Sequence, residues 1–170
     1  MLPREFFIRD ARIVAKELLG KEIFFNGKRA IITETEAYIP GDPGSHAFRG
    51  KTKRNETMYR EGGVLYVYLC YGMYELMNIV TDRENVPSAV LIRAAKPLNF
   101  DAKTNGPGLL TRGLGITRKH NGASVISKDL HINEGISDFK IVQTKRIGLK
   151  EGKDLPYRFY IKDCPYISHK

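Results

Sequence analysis

The 170 residues suit one folded domain. The 28 lysines and arginines against 19 aspartates and glutamates give a charge of +9, which favours an anionic partner, nucleic acid more than a membrane surface. Two distant cysteines exclude a disulfide framework and a cysteine-based metal motif, and no apolar run approaches the roughly 20 residues of a membrane span. The first ten residues carry charges where a signal peptide is apolar, so we expect an intracellular protein with a single domain over 1–170.

The first predicted elements are a helix and a β-hairpin. Asp10 suits the N-cap of a helix that ends at Gly20. One face of this helix carries an apolar stripe that should pack on the core. The stripe consists of Ala11, Val14, Ala15 and Leu18. Asn26 and Gly27 then suit the tight turn between two strands, KEIFF and KRAIITETEAY.

The second strand of this hairpin carries two acids. Because side chains alternate along a strand, Glu34, Glu36 and Tyr38 should face one way. The other face should carry Ile31, Thr33 and Ala37. Two carboxylates and one aromatic ring would then share a surface, and the alternation alone gives no reason to prefer either acid.

Two polar segments follow the hairpin. Residues 39–50, IPGDPGSHAFRG, form a loop by composition, and His46 within it would ordinarily be a surface histidine. Residues 49–60, RGKTKRNETMYR, carry five basic residues and one acid. Such a run is more often a solvated loop, although it also suits a phosphate backbone.

The segment LYVYLCYGMYELMN crowds four tyrosines around one glycine. It reads as two strands whose turn contains Tyr71 and Gly72, with Leu65, Val67 and Leu69 towards the core. Tyr66 and Tyr74 are equally well explained as ordinary strand residues, with the ring on the core and the hydroxyl in water. Tyr71 differs, because an exposed aromatic at a turn gains little from folding and is suited to push into a stack of bases.

The remaining elements complete a chain of mixed helices and strands. SAVLIRAAKPL reads as a buried strand that carries the charge of Arg93, and NGPGLLTRGLGI as a turn into a short helix. KIVQTKRIGL and YRFYI are predicted as late strands. No repeat or linker is evident in the sequence.

Eight short motifs together resemble the alkyladenine (3-methyladenine) DNA glycosylases of the mammalian alkylpurine type, over nearly the whole chain. The motifs, in order, are ETEAY (34–38), DPGSHAFRG (42–50), RN (54–55), LYVYLCYGMYELMNI (65–79), LIRAAKPL (91–98), NGPGLL (105–110), RIG (146–148) and RFY (158–160). The resemblance implies an α+β fold, a single domain with a curved, mostly antiparallel β-sheet and a few short helices. This fold is an open barrel similar to the formyltransferase C-terminal domain.

The resemblance also implies the chemistry. Glu36, in TEAY, matches the family's general base, and Arg93 matches an arginine that holds the attacking water near the backbone phosphate. A buried arginine is otherwise usually paired for structural reasons. The carbonyl of Ile147 lies where the family supplies a third contact. No lysine matches a Schiff-base nucleophile, so we expect a monofunctional hydrolase that leaves an abasic site and needs no cofactor and no metal.

A base pocket and a wedge are implied by the same motifs. The extruded purine would lie between Tyr38 and His46 on one side and Tyr68 on the other, with hydrogen bonds from the backbone around Gly44 and His46. Asn78 matches a residue that discriminates against the 2-amino group of guanine. Tyr71 matches the family's intercalating tyrosine.

Further residues are predicted to contact double-stranded DNA outside the pocket. These are Arg54, Met58, Met73 and Tyr74. We expect a monomer whose binding is directed by the lesion, tolerant of sequence and sensitive to salt. The chain departs from the family in being short, in lacking an extended tail and in having tyrosine or lysine for some tryptophans near KDLPYRFY.

Two other classes of protein are compatible with parts of this pattern. A non-catalytic, basic nucleic-acid-binding domain of the same fold would keep the charge and the aromatics, but it has no need of Glu36 or Asn78. A formyl-transfer accessory domain would share only the fold and would need no aromatic wedge.

Overall fold

The computed structural model describes residues 1–169. Its two α-helices are α1 (Ala11–Leu18) and α2 (Pro107–Leu114), and three short 3-10 turns accompany them. The eight strands are β1 (Glu22–Phe25), β2 (Lys28–Tyr38), β3 (Leu65–Cys70), β4 (Tyr74–Val80), β5 (Ala89–Pro97), β6 (Leu130–Asn133), β7 (Ile141–Thr144) and β8 (Arg158–Ile161). No helix within residues 1–169 is long and apolar enough to cross a membrane.

The strands form one antiparallel sheet in the order β3-β4-β5-β2-β1-β6. The 11-residue β2 is its spine: one edge pairs with β5, while the other edge pairs first with β1 and then, over 34–36, with β8. Because one edge of β2 is divided between two partners, the sheet curls into a half-barrel. The predicted α+β fold with a curved, mostly antiparallel sheet is confirmed.

The first helix and hairpin form as local chemistry dictates. The Asp10 side chain accepts a hydrogen bond from the N–H of Arg12, which caps α1. The predicted apolar stripe is buried against β2 and β5. Asn26 and Gly27 both have positive φ, 47° and 86°, as a two-residue hairpin turn requires.

Two bulges in the central strand pair place the charged residues. Ile32 pairs with Ala95, Glu34 with Ala94 and Thr35 with Ile92, so Thr33 is an extra residue on β2 and Arg93 an extra residue on β5. Strict alternation would turn both Glu34 and Arg93 towards the core, since Ile32 and Ala95 face it. The bulges reset the alternation, so that both charged side chains lie on the opposite face.

The expectation for the apolar face of β2 is therefore partly wrong. Glu34 and Glu36 do share a face, since both contact Arg93. The core side carries Ile32, Thr35 and Ala37 in place of the predicted grouping of Ile31 and Thr33 with Ala37. Thr35 shows the reset directly, because its hydroxyl donates to the carbonyl of Ala15 in α1, 2.8 Å away.

A second, smaller apolar cluster fastens the long loop 39–55 to the sheet. It consists of Ala47, Met58, Val64, Tyr66, Val80 and Ala89. Asn55 closes the loop, since its side-chain amide donates to the carbonyls of His46 and Gly50. Because Ala47 packs in this cluster and Asn55 bonds the carbonyl of His46, His46 is held in place although no helix or strand contains it.

Candidate active site

A cleft of about 870 Å³ opens on the face of the sheet that carries the charged residues. Its floor includes Arg93 and Leu91 of β5, and its walls come from the β3–β4 hairpin, the start of α2 and the loop 147–149. Of the predicted site residues, the cleft is lined by Tyr38, His46, Arg54, Tyr68, Tyr71, Tyr74, Arg93 and Ile147. The volume lies in the range of small-molecule and base-sized binding sites.

Glu34 is the more heavily bonded of the two buried carboxylates. It accepts from Nε of Arg93 at 3.2 Å and from Nε of Arg158 at 2.7 Å. Ser168 adds two more donors, its N–H at 2.6 Å and its hydroxyl at 2.7 Å. With four donors around two oxygens and no exposed surface, Glu34 has little capacity left to accept a proton from a water molecule.

Glu36 is bonded more sparsely. Its Oε1 accepts from Nη1 of Arg93 at 3.1 Å and from the backbone N–H of Ile147 at 3.2 Å. Oε2 has only a 3.5 Å contact with the same Nη1, so this oxygen retains free lone pairs. Ile147 thus contributes its N–H to the carboxylate, a contact that the sequence did not predict.

Burial sets the acid–base behaviour of Glu36. Its side chain is wholly buried, and this desolvation raises its pKa, although Arg93 and the N–H of Ile147 act in the opposite direction. A carboxylate whose pKa is raised towards neutrality is a stronger base while it is still deprotonated. Glu36 does not itself border the cleft, whereas its partners Arg93 and Ile147 do.

An inner recess adjoins the cleft and contains most of the predicted base pocket. It is lined by Tyr38, Gly44, His46, Met58, Tyr66, Tyr68, Asn78 and Leu149. The ring centroids of His46 and Tyr68 are 4.3 Å apart at an angle of 68°. The recess measures about 50 Å³, so a purine could enter only if these two rings moved apart.

Tyr66 holds His46 at the edge of this recess. Its hydroxyl lies 2.9 Å from Nδ1 of His46, and packing against the tyrosines lowers the pKa of His46 by desolvation. Burial also raises the pKa of Tyr66 to about 12, so the pair is neutral near pH 7. The predicted alternative for Tyr66, a hydroxyl in water, is wrong, because that hydroxyl contacts His46.

Arg146 supports the rear of the recess and was not assigned a role from the sequence. Its guanidinium lies 4.7 Å from the ring centroid of Tyr38, and it forms a buried ion pair with Asp42. Gly44 packs against the same guanidinium so closely that an added Cβ would lie 2.9 Å from Nη2. The RIG motif contains Arg146, but only the fold brings it beneath Tyr38.

The sequence matches one protein family over nearly its whole length. The family described as Methylpurine-DNA glycosylase (MPG) matches residues 5–165. The chain belongs to this family. It is accordingly a hydrolytic DNA glycosylase, and DNA is its substrate.

Relatives from bacteria agree with this assignment, and each carries the name "Putative 3-methyladenine DNA glycosylase". A protein of Legionella pneumophila (strain Lens) is 47% identical, over 98% of this chain and 97% of its own length. One of Carboxydothermus hydrogenoformans is 46% identical over 100% of both chains. One of Rickettsia felis is 44% identical over 96% of this chain and 94% of its own length.

The tip of the β3–β4 hairpin presents large apolar side chains to solvent. Tyr71 is 85% exposed and Met73 68% exposed, although both are large apolar side chains. Tyr71 also has φ of 50°, and Gly72 has φ of 67°, so the turn holds an aromatic residue in the left-handed region. Such strain at an exposed aromatic is a marker of function, because folding gains nothing from it.

Two other predicted DNA contacts border the cleft beside this tip. Arg54 is exposed and donates to the carbonyl of Leu69 at 3.1 Å, which ties the basic loop to β3. Tyr74 is 39% exposed and leans on α2, where a Cβ at Gly108 would lie 2.5 Å from its ring. Tyr74 therefore braces the hairpin against α2 while keeping one edge free.

Met58 does not fit its predicted role as a contact of the DNA backbone. Its side chain is only 2% exposed and belongs to the second apolar cluster. The excess of basic residues in 49–60 indicates a solvated loop, but it does not reveal that the loop folds Met58 inwards. Asn78 is also buried, at 4% exposure, and its amide donates to the carbonyl of Tyr66 at the floor of the recess.

Proposed function

We propose that this glycosylase is monofunctional and acts as a monomer on duplex DNA that contains damaged purines. It flips alkylated or deaminated purines, such as 3-methyladenine and hypoxanthine, and hydrolyses the N-glycosidic bond, leaving an abasic site. The observation that carries the proposal is the Glu36–Arg93 pair, a sparsely bonded buried carboxylate next to a cleft lined with aromatic rings.

The reaction needs a base for water and a stabiliser for the sugar. The water oxygen forms a bond to C1′ as the C1′–N bond breaks, and the electron pair of that bond leaves with the purine. Glu36 takes the proton of the water at Oε2, and its negative charge opposes the positive charge that develops on the sugar. The closest approach of a water to Oε2 requires a small shift of Arg93 or of the loop at Ile147, because Glu36 is wholly buried.

Arg93 suits a role in holding this water and the flanking phosphate. Its Nε and Nη1 are used by the two carboxylates. Within residues 1–169, Nη2 makes no hydrogen bond, and the side chain borders the cleft. A planar guanidinium can contact two partners on one side and an anionic phosphate on the other.

The recess explains how a lesion would be recognised. Tyr38 and Tyr68 present neutral aromatic faces, since burial raises the pKa of each hydroxyl, and such faces favour an alkylated, cationic purine. A neutral purine such as hypoxanthine would depend more on shape and on backbone donors near Gly44 and His46. Asn78 at the floor would exclude guanine because the exocyclic 2-amino group would clash with its side chain.

The hairpin tip explains how the base would leave the duplex. Extrusion costs a few kcal/mol of unstacking and unpairing, and an inserted side chain offsets part of this cost. Tyr71 is the most exposed of the aromatic residues beside the cleft, with Met73 next to it. Tyr71 would fill the gap in the stack while the purine occupies the recess.

Base release from defined duplexes tests the proposal. Oligonucleotides with one hypoxanthine, or alkylated DNA that contains 3-methyladenine, are incubated with excess protein, and the free base is identified by chromatography. We expect release of the base and strand cleavage only after hot alkali. Glu36→Gln should keep a normal thermal melt but release the base about 10² to 10⁴-fold more slowly. Binding without release by the wild type would instead support the non-catalytic binding domain, and cleavage without alkali would exclude a monofunctional enzyme.

A further inference from the structure

The C-terminal residues 166–169 return to the central strand β2, and His169 borders the cleft. Ile167 is 6% exposed, and the hydroxyl of Thr33 donates to the carbonyl of Tyr166 at 2.5 Å. Arg158 donates to the carbonyl of His169, whose side chain lines the cleft. The segment is therefore anchored on both sides of Ser168.

Ser168 bridges the two charges on which the site is built. Its hydroxyl donates to Oε1 of Glu34 at 2.7 Å and accepts from Nε of Arg93 at 3.3 Å. Its backbone N–H donates to Oε2 of Glu34 at 2.6 Å. A hydrogen bond to a charged group is stronger than one between neutral groups, so these contacts constrain both side chains.

Arg93 is shared between two carboxylates that compete for it. Nε contacts Glu34 at 3.2 Å, and Nη1 contacts Glu36 at 3.1 Å. If Glu34 lost a donor, the guanidinium would be drawn towards it, because an under-compensated buried charge is costly. The Nη1 contact with Glu36 would then lengthen.

We propose that Ser168 is a positioning residue of the reaction, which satisfies Glu34 and so keeps Arg93 directed at Glu36. This inference rests on the proposed role of Glu36 as the general base. The effect of Ser168 on the chemistry passes through two other side chains, so its loss should weaken the chemical step and leave lesion binding intact.

The pH dependence of the chemical step reports on this arrangement. The groups that face Glu36 are Glu34 on β2, Arg93 on β5, Arg146 before Ile147 and, more weakly, Tyr38 and Tyr68. Burial already raises the pKa of Glu36 above its ordinary 4.5, and Arg93 is the main group that lowers it. Withdrawal of Arg93 should raise this pKa further, so the acid limb of the rate profile should move to higher pH.

The test compares three variants of the full chain with the wild type. Ser168→Ala removes the hydroxyl, Ser168→Thr restores it, and Thr33→Val releases the same segment without touching Glu34. Single-turnover rates of hypoxanthine release are measured from pH 5 to 9, beside lesion binding and thermal melting. We expect Ser168→Ala to be slower by about ten-fold with an acid limb at higher pH and unchanged binding, and Ser168→Thr to recover both.

The other outcomes distinguish a failure of the role proposed for Ser168 from a failure of the role proposed for Glu36. A wild-type rate and acid limb in folded Ser168→Ala would overturn the role of Ser168. Equal slowing in Ser168→Ala and Thr33→Val, with the limb unmoved in both, would reduce the segment to structural support and also overturn it. Retained activity in Glu36→Gln would instead overturn the general base, and thus the proposed function, whatever Ser168 does.

Discussion

The charge network around Arg93 and the tip of the β3–β4 hairpin border the same cleft, yet their environments are opposite. In the network, Glu34 and Glu36 have no exposed surface, and each carboxylate accepts hydrogen bonds from at least two residues. At the tip, Tyr71 is 85% exposed and strained at φ 50°, and few contacts hold it. In the Arg93 network, stability and chemistry depend on the same hydrogen bonds. At the hairpin tip, the strained and exposed Tyr71 lowers stability.

Replacing each carboxylate of the network in turn should give the largest difference between an effect on the rate of base release and an effect on stability. We expect Glu36→Gln to slow base release by about 10² to 10⁴-fold, the range for loss of a general base, with little change in melting temperature. Glu34→Gln should slow release far less but lower the melting temperature more, because it leaves Arg93 and Arg158 under-compensated in the interior. Single-turnover rates and thermal melting of both variants provide the measurement.

Two results would break this contrast. Comparable losses of rate in both variants would mean that the carboxylates act as one unit. Rapid release by Glu36→Gln would remove it as the base, and the sparse bonding of its Oε2 would then need another explanation.

At the hairpin tip, a substitution should weaken DNA binding without lowering the melting temperature. Tyr71→Asn places a residue that tolerates positive φ in the turn, so the melting temperature should stay level or rise. Binding to a duplex with a paired lesion should weaken by roughly ten-fold or more, because the side chain that fills the gap is lost. Titrations at one fixed salt concentration measure this change.

Two matched controls apply to the tip: a variant that keeps the aromatic ring, and a DNA substrate that has no base stack. Tyr71→Phe should bind like the wild type, and Tyr71→Asn should show a smaller defect on a single strand, which has no stack to fill. Equal affinity of wild type and Tyr71→Asn for the paired lesion, with both folded, would make Tyr71 an ordinary turn residue.

Asn78 lines the inner recess, and its replacement should give the smallest effect, a change of selectivity. Asn78→Ser should enlarge the floor of the recess and raise release of guanine-derived bases relative to hypoxanthine by several-fold. The ratio of the two single-turnover rates on matched duplexes measures the change. An unaltered ratio would leave Asn78 as a buried strand residue bonded to Tyr66.

Features that depend on a few neighbouring residues were predictable from the sequence. The Asp10 cap, the turn at Asn26 and Gly27, and the exposed tip at Tyr71 follow from short-range preferences, and the structure confirms them. These features are predictable because residues close together in the sequence determine each of them. The resemblance of eight motifs added the family, which the match over residues 5–165 confirms.

Only the tertiary structure decided how the charges are arranged. The bulges at Thr33 and Arg93 arise between two paired strands, so neither strand reveals alone which face its charges take. The burial of Met58 and the packing of Arg146 beneath Tyr38 likewise depend on segments that meet only in the fold. Ser168 meets Glu34 across 134 residues of sequence, and no periodicity spans that distance, since hydrogen bonds between remote side chains are set by where the chain returns.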